Sequence, residues 1–311
     1  MLQLLAMIHF GAVAVLAQSP DLMFAPAANG QFAFDTGTVK GQLTATVDRE
    51  GVTSIVDVKT GRELTKGRPD IGVFTYYRFL STDKRWGDIG WQMPKNPERV
   101  ADGTVRIVWP PQPERPFELT ATYKWVRPDA LDVETAIKAG ADLPRFEVFL
   151  ASYFADSFRC KVYLKPGKYA KGEPELVAAD ASPLTTGLYY AFVRDLAGAQ
   201  MVEDGRWARG TNAVDWAITR YLAGGLAVQE DRASGLTCAL MSRPEDCFCI
   251  YASYNMDPPD GVASHHSIYL GLVGKDVKAG QTVRTTSRLL VGKHLSAEQI
   301  VGEYKKFAAE K

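Results

Sequence analysis

The stretch VDREGVTSIVDVKTGREL, residues Val47–Leu64, decides the fold class. β-Branched and apolar residues between two glycines, Gly51 and Gly61, predict a strand over 52–58 with a turn on either side. Glycine suits these turns because it adopts backbone conformations that other residues avoid. Three side chains of the strand are expected to face a core: Val52, Ile55 and Val58.

The same pattern, a strand-like run bounded by turn residues, recurs on both sides of this segment. Apolar or alternating runs are separated by turn sequences such as Arg127-Pro128-Asp129 and Lys278-Ala279-Gly280. About fifteen such runs, with almost no helical periodicity between them, are typical of an all-β protein. The sequence therefore predicts a large antiparallel two-sheet sandwich in a single domain over 31–311, preceded by a linker over 18–30.

One helix is predicted, at the C-terminal end. Ser296 has the side chain of an N-cap, and Gln299 follows at capping-box spacing. Apolar residues then recur every three or four positions and form one stripe: Ile300, Val301, Tyr304 and Phe307. We expect a short helix that lies on the sandwich as a structural element.

The overall charge favours no particular macromolecular partner. The 311 residues include 36 Lys+Arg and 36 Asp+Glu, so the formal net charge is zero. A chain without an excess of basic residues has no global field that attracts nucleic acid or an anionic membrane. We expect neither as a partner, and the composition leaves the oligomeric state open.

The N-terminal stretch Met1–Ala17 is apolar and carries no acidic or basic residue apart from His9. Such a run, ending in small residues, predicts a cleaved signal peptide and hence a secreted or periplasmic protein without membrane attachment after cleavage. A membrane anchor and a buried N-terminal segment are the alternatives, since about 17 residues is the lower limit for a span.

The four cysteines are expected to be buried free thiols. A bridge from Cys238 to Cys247 or Cys249 is the alternative in an exported protein, because a predicted hairpin brings these positions near each other. Cys247-Phe248-Cys249 does not have the spacing of a zinc site. We expect no metal site and no cofactor.

Two segments resemble the galactose mutarotase-like supersandwich family. Val47–Leu64 is similar to the opening hairpin of those proteins, in which a strand turns at Thr-Gly and continues through Arg-Glu-Leu. The segment 130–154 resembles the family segment that ends in His-Ser-Tyr-Phe, here Ala151-Ser152-Tyr153-Phe154. The resemblance implies a sugar-handling scaffold, shared by epimerases, polysaccharide lyases and non-catalytic domains of glycosidases. Ala151 stands where the family has its catalytic histidine, which argues against a true mutarotase.

Two loop clusters supply candidate ligand-binding residues. The first comprises Tyr77, Arg78, Arg85, Trp86 and Trp91. Aromatic rings stack on the C–H faces of sugars and arginine hydrogen-bonds their hydroxyls; the alternative is that the tryptophans fold down as a lid over the end of the sandwich.

The second cluster is Arg206 and Trp207. A guanidinium suits the carboxylate of a uronic acid, because it forms two parallel hydrogen bonds. The alternative for Arg206 is a surface ion pair with Glu203 or Asp204.

Candidate catalytic residues are His265, His266 and Tyr254. Histidine exchanges protons near neutral pH, and alternation along a strand sends the two imidazoles to opposite faces. Tyr254 ends the preceding strand and is expected to converge on the same place. The alternative is a histidine at a strand edge that only hydrogen-bonds a backbone carbonyl.

These residues favour an exported protein that binds or processes carbohydrate, with a lyase acting on uronic-acid-containing glycans preferred to a hydrolase. Lyases need a base such as His or Tyr and a cation that neutralises the uronate. The rival hypothesis is a non-catalytic sugar-binding or structural sandwich, which Ala151 favours. Under the first hypothesis, the candidate residues should gather around one concavity.

Overall fold

The computed structural model describes residues 22–28, 30–66, 71–82, 84–86, 89–167, 171–181, 189–255 and 266–310. β-Strands predominate in these residues. The strands are β1 (Ala25–Pro26), β2 (Gln31–Asp35), β3 (Val39–Thr46), β4 (Arg49–Asp57), β5 (Thr75–Ser81), β6 (Lys84–Arg85), β7 (Asn96–Arg99), β8 (Val105–Trp109), β9 (Phe117–Arg127), β10 (Ala130–Ala139), β11 (Leu143–Tyr153), β12 (Arg159–Leu164), β13 (Glu175–Ala178), β14 (Tyr189–Val193), β15 (Trp216–Asp231), β16 (Leu236–Ser242), β17 (Cys247–Ser253), β18 (Ser267–Val277) and β19 (Thr282–Lys293). The α-helices are α1 (Leu196–Val202) and α2 (Ala297–Ala309), and short 3₁₀ turns cover Gly90–Gln92 and Arg206–Ala208.

The first four strands form a small antiparallel sheet in the order β1-β2-β3-β4. The predicted strand is part of β4, and both expected turn glycines have positive φ, 110° at Gly51 and 69° at Gly61. Gly61 follows the turn at 58–60 as predicted, whereas Gly51 lies inside β4, so the turn expected there is wrong. Val52 and Ile55 are fully buried as predicted. The prediction for Val58 is wrong: β4 ends at Asp57, and Val58 is 39% exposed in the turn.

The remaining strands form one continuous sheet that folds into two halves. The front half-sheet has the order β6-β5-β11-β18-β17-β14, and the back half-sheet has the order β15-β16-β19-β10-β9-β8-β7, with β12 and β13 attached to β15. The long strand β15 joins them. Its first part pairs in parallel with β14, from Tyr189↔Trp216 to Val193↔Tyr221, and its second part pairs antiparallel with β16. This parallel pairing is a local departure from the predicted antiparallel arrangement.

The two half-sheets pack face to face around a hydrophobic core. Val148 and Leu150 of β11 share one cluster with Leu289 and Val291 of β19. Aromatic rings also meet across the layers, as where Phe117 lies 5.1 Å from Phe146 between ring centroids. The all-β sandwich predicted from the sequence is confirmed.

The C-terminal helix α2 is also confirmed. Ser296 Oγ accepts a hydrogen bond from Gln299 N at 3.2 Å, and Ser296 N donates to Gln299 Oε1 at 2.8 Å, which completes the capping box. The predicted stripe packs on the outer face of the back half-sheet, where Tyr304 Oη accepts from Gly225 N at 2.8 Å. No helix in the described ranges is long and apolar enough to cross a membrane. Met1–Ala17 lies outside those ranges, so the signal peptide stays a prediction.

A buried carboxyl group joins the small sheet to the front half-sheet. Glu50 is fully buried, and its side chain accepts from Tyr76 N at 2.7 Å and contacts the hydroxyl of Tyr123. Burial raises the pKa of Glu50 to about 7, against the opposing effects of those hydrogen bonds and of the Lys95 charge. The Tyr123 hydroxyl also lies 2.8 Å from Phe74 O. Since a tyrosine has a single hydroxyl proton, a protonated Glu50 lets both contacts be hydrogen bonds.

All four cysteines are buried and free, as predicted. Burial raises the pKa of Cys247 to about 12 and raises the pKa values of the other three thiols. These thiols are therefore protonated and unreactive in the folded protein.

Candidate ligand-binding cavity

The outer face of the front half-sheet is apolar and is covered by residues 196–216. Phe149, Ala151 and Tyr153 alternate along β11 and point to this outer face, away from the sandwich core. Helix α1, the 3₁₀ turn at Arg206–Ala208 and the segment leading to β15 pack over them. The strands of this half-sheet are thus buried on both faces, which explains their nearly continuous apolar sequence.

A buried ion cluster anchors the covering segment. Arg206 Nη1 donates to Glu147 Oε2 at 3.0 Å, and Arg206 Nη2 donates to Asp204 Oδ2 at 2.8 Å. Tyr251 Oη donates to the other Glu147 oxygen at 2.8 Å. Burial raises the pKa of Glu147 against the effect of Arg206. Burial also disfavours the Arg206 charge, but the hydrogen bond with Asp204 and the charge of Glu147 outweigh it and raise the pKa of Arg206.

Beside this anchor lies a cavity of about 410 Å³. Its walls come from β5, β11, β14, β18, the start of β15 and the covering segment. The lining residues are Tyr77, Arg78, Phe149, Tyr153, Tyr189, Trp207, Asn212, Ala213, Val214, Trp216 and Tyr269. The volume lies within the usual range for small-molecule sites.

The aromatic rings form a buried floor and a half-buried rim. On the floor, Phe149 and Tyr269 stack with ring centroids 4.6 Å apart and an interplanar angle of 20°. Trp207 packs edge-on against Phe149 at 4.8 Å. Tyr77, Tyr189 and Trp216 are only half-buried, so parts of their rings face the opening. Flat apolar surface is therefore available to a ligand at the rim.

Arg78 is the charged residue in this lining, and its side chain is embedded in the wall. It is 2% exposed, with its guanidinium carbon 4.6 Å from the Tyr77 ring centroid and 5.3 Å from that of Trp207. Nη2 donates to Asn212 O at 3.0 Å and to the Tyr77 hydroxyl at 3.3 Å. Nε is buried without a hydrogen-bond partner, and no carboxylate among the described residues pairs with this arginine.

Two arginines donate hydrogen bonds to backbone carbonyls of the segment that borders the cavity. Arg78 binds Asn212 O, and Arg85 Nη1 donates to Arg209 O at 3.1 Å and to Thr211 O at 2.6 Å. Asn212 has a positive φ of 55°, a conformation that asparagine tolerates better than most residues. The side chains of β5 and β6 therefore define the position of this border.

Three tyrosine hydroxyls of the cavity are held in the neutral form by burial. Burial raises the pKa values of Tyr153, Tyr189 and Tyr269 above the ordinary range. Ser267 Oγ donates to the Tyr269 hydroxyl at 2.8 Å, which fixes its orientation. The described lining contains no carboxylate and no imidazole. The rings of this lining can stack on a ligand, its hydroxyls can hydrogen-bond to the ligand, and its arginine can attract negative charge. The lining holds no group that readily accepts a proton at neutral pH.

The structure brings part of the predicted set together. Tyr77, Arg78 and Trp207 line the cavity. Trp91 stacks on Tyr77 with ring centroids 4.8 Å apart and supports that wall from behind. Arg85 lies outside the lining and holds the border segment.

Other predicted ligand-binding residues lie away from the cavity. Trp86 is 5% exposed and packs edge-on against Phe117 in the sandwich core. It therefore has a packing role, the alternative to ligand contact. Arg206 is in the buried ion cluster. The alternative for Arg206 was a surface ion pair with Glu203 or Asp204. Arg206 does pair with Asp204, but the pair lies in the interior.

The predicted catalytic residues do not converge on this cavity. His266 is buried and its Nδ1 lies 2.9 Å from Phe158 O, the backbone-carbonyl contact that was the alternative for it. Burial lowers the pKa of His266, which favours the neutral imidazole. Tyr254 packs in the sandwich core with its ring 4.3 Å from that of Tyr190. His265 lies outside the described residues.

Sequence reasoning missed five of the seven aromatic residues that line the cavity. The residues not singled out were Phe149, Tyr153, Tyr189, Trp216 and Tyr269. Ala151, at the position of the family histidine, lies in the same apolar cluster as Phe149 and Tyr153. The spacing around that alanine was the available indication, because residues two positions apart on a strand point to the same face. No group of His, Cys, Asp and Glu in the described part of the chain is arranged to hold a metal ion.

Comparison with solved structures agrees with the fold. The chain superimposes on the galactose mutarotase related enzyme from Lactobacillus acidophilus with a TM-score of 0.50 and 11% identity, over 86% of this chain and 99% of that chain. This likeness shows a galactose mutarotase-like fold. A candidate aldose 1-epimerase from Escherichia coli K12 gives 0.49 and 14% identity, over 85% and 100% of the two chains. A heparan sulfate lyase mutant from Pedobacter heparinus gives 0.45 and 12% identity, over 89% and 38%. No protein-family model and no curated protein matches the sequence.

Proposed function

We propose that this protein binds a carbohydrate in the aromatic cavity. The observation that carries the proposal is the lining itself: seven of its eleven residues are aromatic, and they surround one buried guanidinium. Sugars present C–H faces that stack on such rings and hydroxyls that accept from arginine. A fold does not determine a function, so the proposal rests on the cavity and not on the likeness to sugar-acting proteins.

Binding is favoured over chemistry because of the protonation states in the cavity. Raised pKa values keep the hydroxyls of Tyr153, Tyr189 and Tyr269 protonated at neutral pH, and the described lining offers no carboxylate or imidazole to act as a base. Ala151 occupies the position of the family's catalytic histidine. The proposed function is therefore that of a sugar-binding sandwich.

Two tyrosines on paired strands provide the test. Tyr189 lines the cavity, whereas Tyr221, on the parallel neighbour β15, is 46% exposed and lies outside the lining. Sugar binding would be measured by isothermal titration calorimetry with a panel of hexoses and hexuronates. Loss of one aromatic contact should weaken binding about 2- to 12-fold in Tyr189→Ala, from about 0.5–1.5 kcal/mol per contact. Tyr221→Ala should match the parent. Equal effects of both substitutions, or no binding to any sugar, would refute the site.

Eliminative cleavage of uronic-acid-containing glycans is the second candidate function. It is favoured by one observation, the presence of Arg78 and several tyrosine hydroxyls in the same cavity. Arginine would neutralise the uronate, and a tyrosine that has lost its own proton would take the C5 proton of the uronate. The bond between C4 and the glycosidic oxygen would break, a C4–C5 double bond would form, and the departing oxygen would take up a proton from a second hydroxyl or from water. Incubation with uronic-acid polysaccharides, followed by absorbance near the ultraviolet edge, detects the unsaturated product. A steady rise that Tyr153→Phe or Tyr269→Phe abolishes would establish the lyase, and a flat trace would leave binding as the function.

We further propose that the protein acts outside the cytoplasm, on the basis of the apolar Met1–Ala17 stretch. The intact mass of the mature protein tests this. Cleavage after Ala17 should remove the N-terminal residues, and a mass that retains them in secreted protein would contradict the proposal.

A further inference from the structure

Arg78 differs from the other buried arginines in how its charge is compensated. Arg206 is paired with Glu147 and Asp204, and Arg288 is paired with Asp132 and Glu310. Arg115 donates to two backbone carbonyls and also interacts with the charge of the neighbouring Glu114. Both hydrogen bonds of Arg78, in contrast, leave from Nη2, and its Nε is buried without a partner.

This arrangement is costly in an empty cavity. A guanidinium stays protonated in a protein, so it cannot escape the cost of burial by losing its charge. The rings of Tyr77 and Trp207 compensate part of that cost through cation–π contacts. Two neutral oxygens compensate a buried charge less well than a counter-ion does, so part of the cost of burying the guanidinium remains. No carboxylate from the described part of the protein supplies one.

We infer that the ligand is a sugar that carries an oxyanion group, a carboxylate or a sulfate, and that this group pairs with Arg78. The inference rests on the proposed function, since it names the class of sugar that the same cavity takes. The aromatic rim contacts the ring of the sugar, and the guanidinium at the wall contacts its anionic substituent. A hydrogen bond to a charged group is among the strongest that proteins form.

Calorimetry on the full chain tests the inference with matched ligands. Glucose and galactose are the neutral probes, their uronates carry a carboxylate, their 6-sulfates carry a sulfate ester, and inorganic sulfate has no ring. We expect at least one acidic class to bind about 10- to 150-fold more tightly than the neutral sugars, the range for a hydrogen bond to a charged group. The class that binds identifies the oxyanion.

Three variants separate the charge of Arg78 from its structural contacts. Arg78→Met should abolish the preference for acidic sugars, and Arg78→Lys, which keeps the positive charge, should retain part of it. Arg194→Met is the control for the loss of a positive charge, because Arg194 pairs with Asp195 and lies outside the lining. Its ratio of acidic to neutral affinity should be that of the parent. Thermal unfolding of each variant without ligand reports folding separately.

The outcomes distinguish the inference from the proposed function. Equal affinity for neutral and acidic sugars overturns the inference and leaves sugar binding intact. A preference that survives in Arg78→Met also overturns it. Binding of inorganic sulfate alone, or of no probe at all, overturns both.

Discussion

Replacement of Arg206 by methionine is the sharpest test of how the cavity is held in place. The Arg206 side chain has no exposed surface, and neither has that of its partner Glu147. Its guanidinium binds Glu147 through Nη1 and Asp204 through Nε and Nη2, at distances of 2.8–3.0 Å. Arg206→Met keeps much of the side-chain volume and removes the charge, so the Glu147 carboxylate is left buried with Tyr251 as its remaining hydrogen-bond donor.

The expected loss of stability is large. Removal of one partner from a buried ion pair costs about 3–5 kcal/mol, mostly because the other charge is left uncompensated. Glu147→Gln in the same background removes that charge. The double variant should therefore be more stable than the sum of the two single effects predicts, by about 1–3 kcal/mol.

Urea unfolding at pH 7 of the parent, both single variants and the double variant provides the cycle. Arg194→Met is the control, because the Arg194–Asp195 pair immediately precedes the covering segment and is partly exposed. That substitution should cost less than about 1 kcal/mol. If Arg206→Met costs no more than the control, or if the single effects simply add, the buried pair does not anchor the segment.

Two further predictions concern buried titratable groups. Because burial raises the pKa of Glu50 from 4.5 to about 7, the folded protein keeps a proton there that the unfolded chain releases. The free energy of unfolding should therefore fall by up to about 3 kcal/mol as the pH rises from about 4.5 to about 7. Urea unfolding at pH 5 and pH 7 measures this change, and Glu50→Gln should reduce it. An equal change in the variant would contradict the raised pKa of Glu50. The four buried thiols should resist a thiol-reactive disulfide reagent at pH 8 and all react in urea; rapid reaction of the folded protein would show that the thiols are accessible.

The parts of the fold that were predictable depend on local sequence. The turn at Gly61 and the capping box at Ser296 each involve residues close together in the chain, and both are confirmed. The turn expected at Gly51 is wrong, because Gly51 lies within β4 and the turn precedes that strand at 47–48. The failure at Val58 has a local cause as well, since its strand ends one residue earlier. Strand β15 depends instead on distant partners. The first part of β15 pairs with β14 in one half-sheet and its second part with β16 in the other. The sequence of β15 does not indicate this change of partner, because strand pairing depends on the whole chain.

The candidate site was harder to predict, for a physical reason. Alternation identifies an outward-facing residue only where one face of a strand is polar. In β11 both faces are buried, so Phe149 reads as a core residue although it forms the cavity floor. Trp86 and Trp91 come from one loop and look equivalent in sequence. Tertiary packing places Trp86 in the sandwich core and Trp91 behind the cavity wall.

Arg78 and Arg206 show why a buried arginine has to be interpreted from its partners. Both are almost completely buried on the outer face of the front half-sheet, and Trp207 connects them, as the chain neighbour of Arg206 and a ring contact of Arg78. Arg206 is paired with two carboxylates of the protein itself, so its charge helps to hold the covering segment in place. A buried charge without a counter-ion contributes little to folding, and an apolar side chain of similar volume is often at least as stable. The charge at Arg78 is therefore explained by what enters the cavity rather than by the stability of its wall.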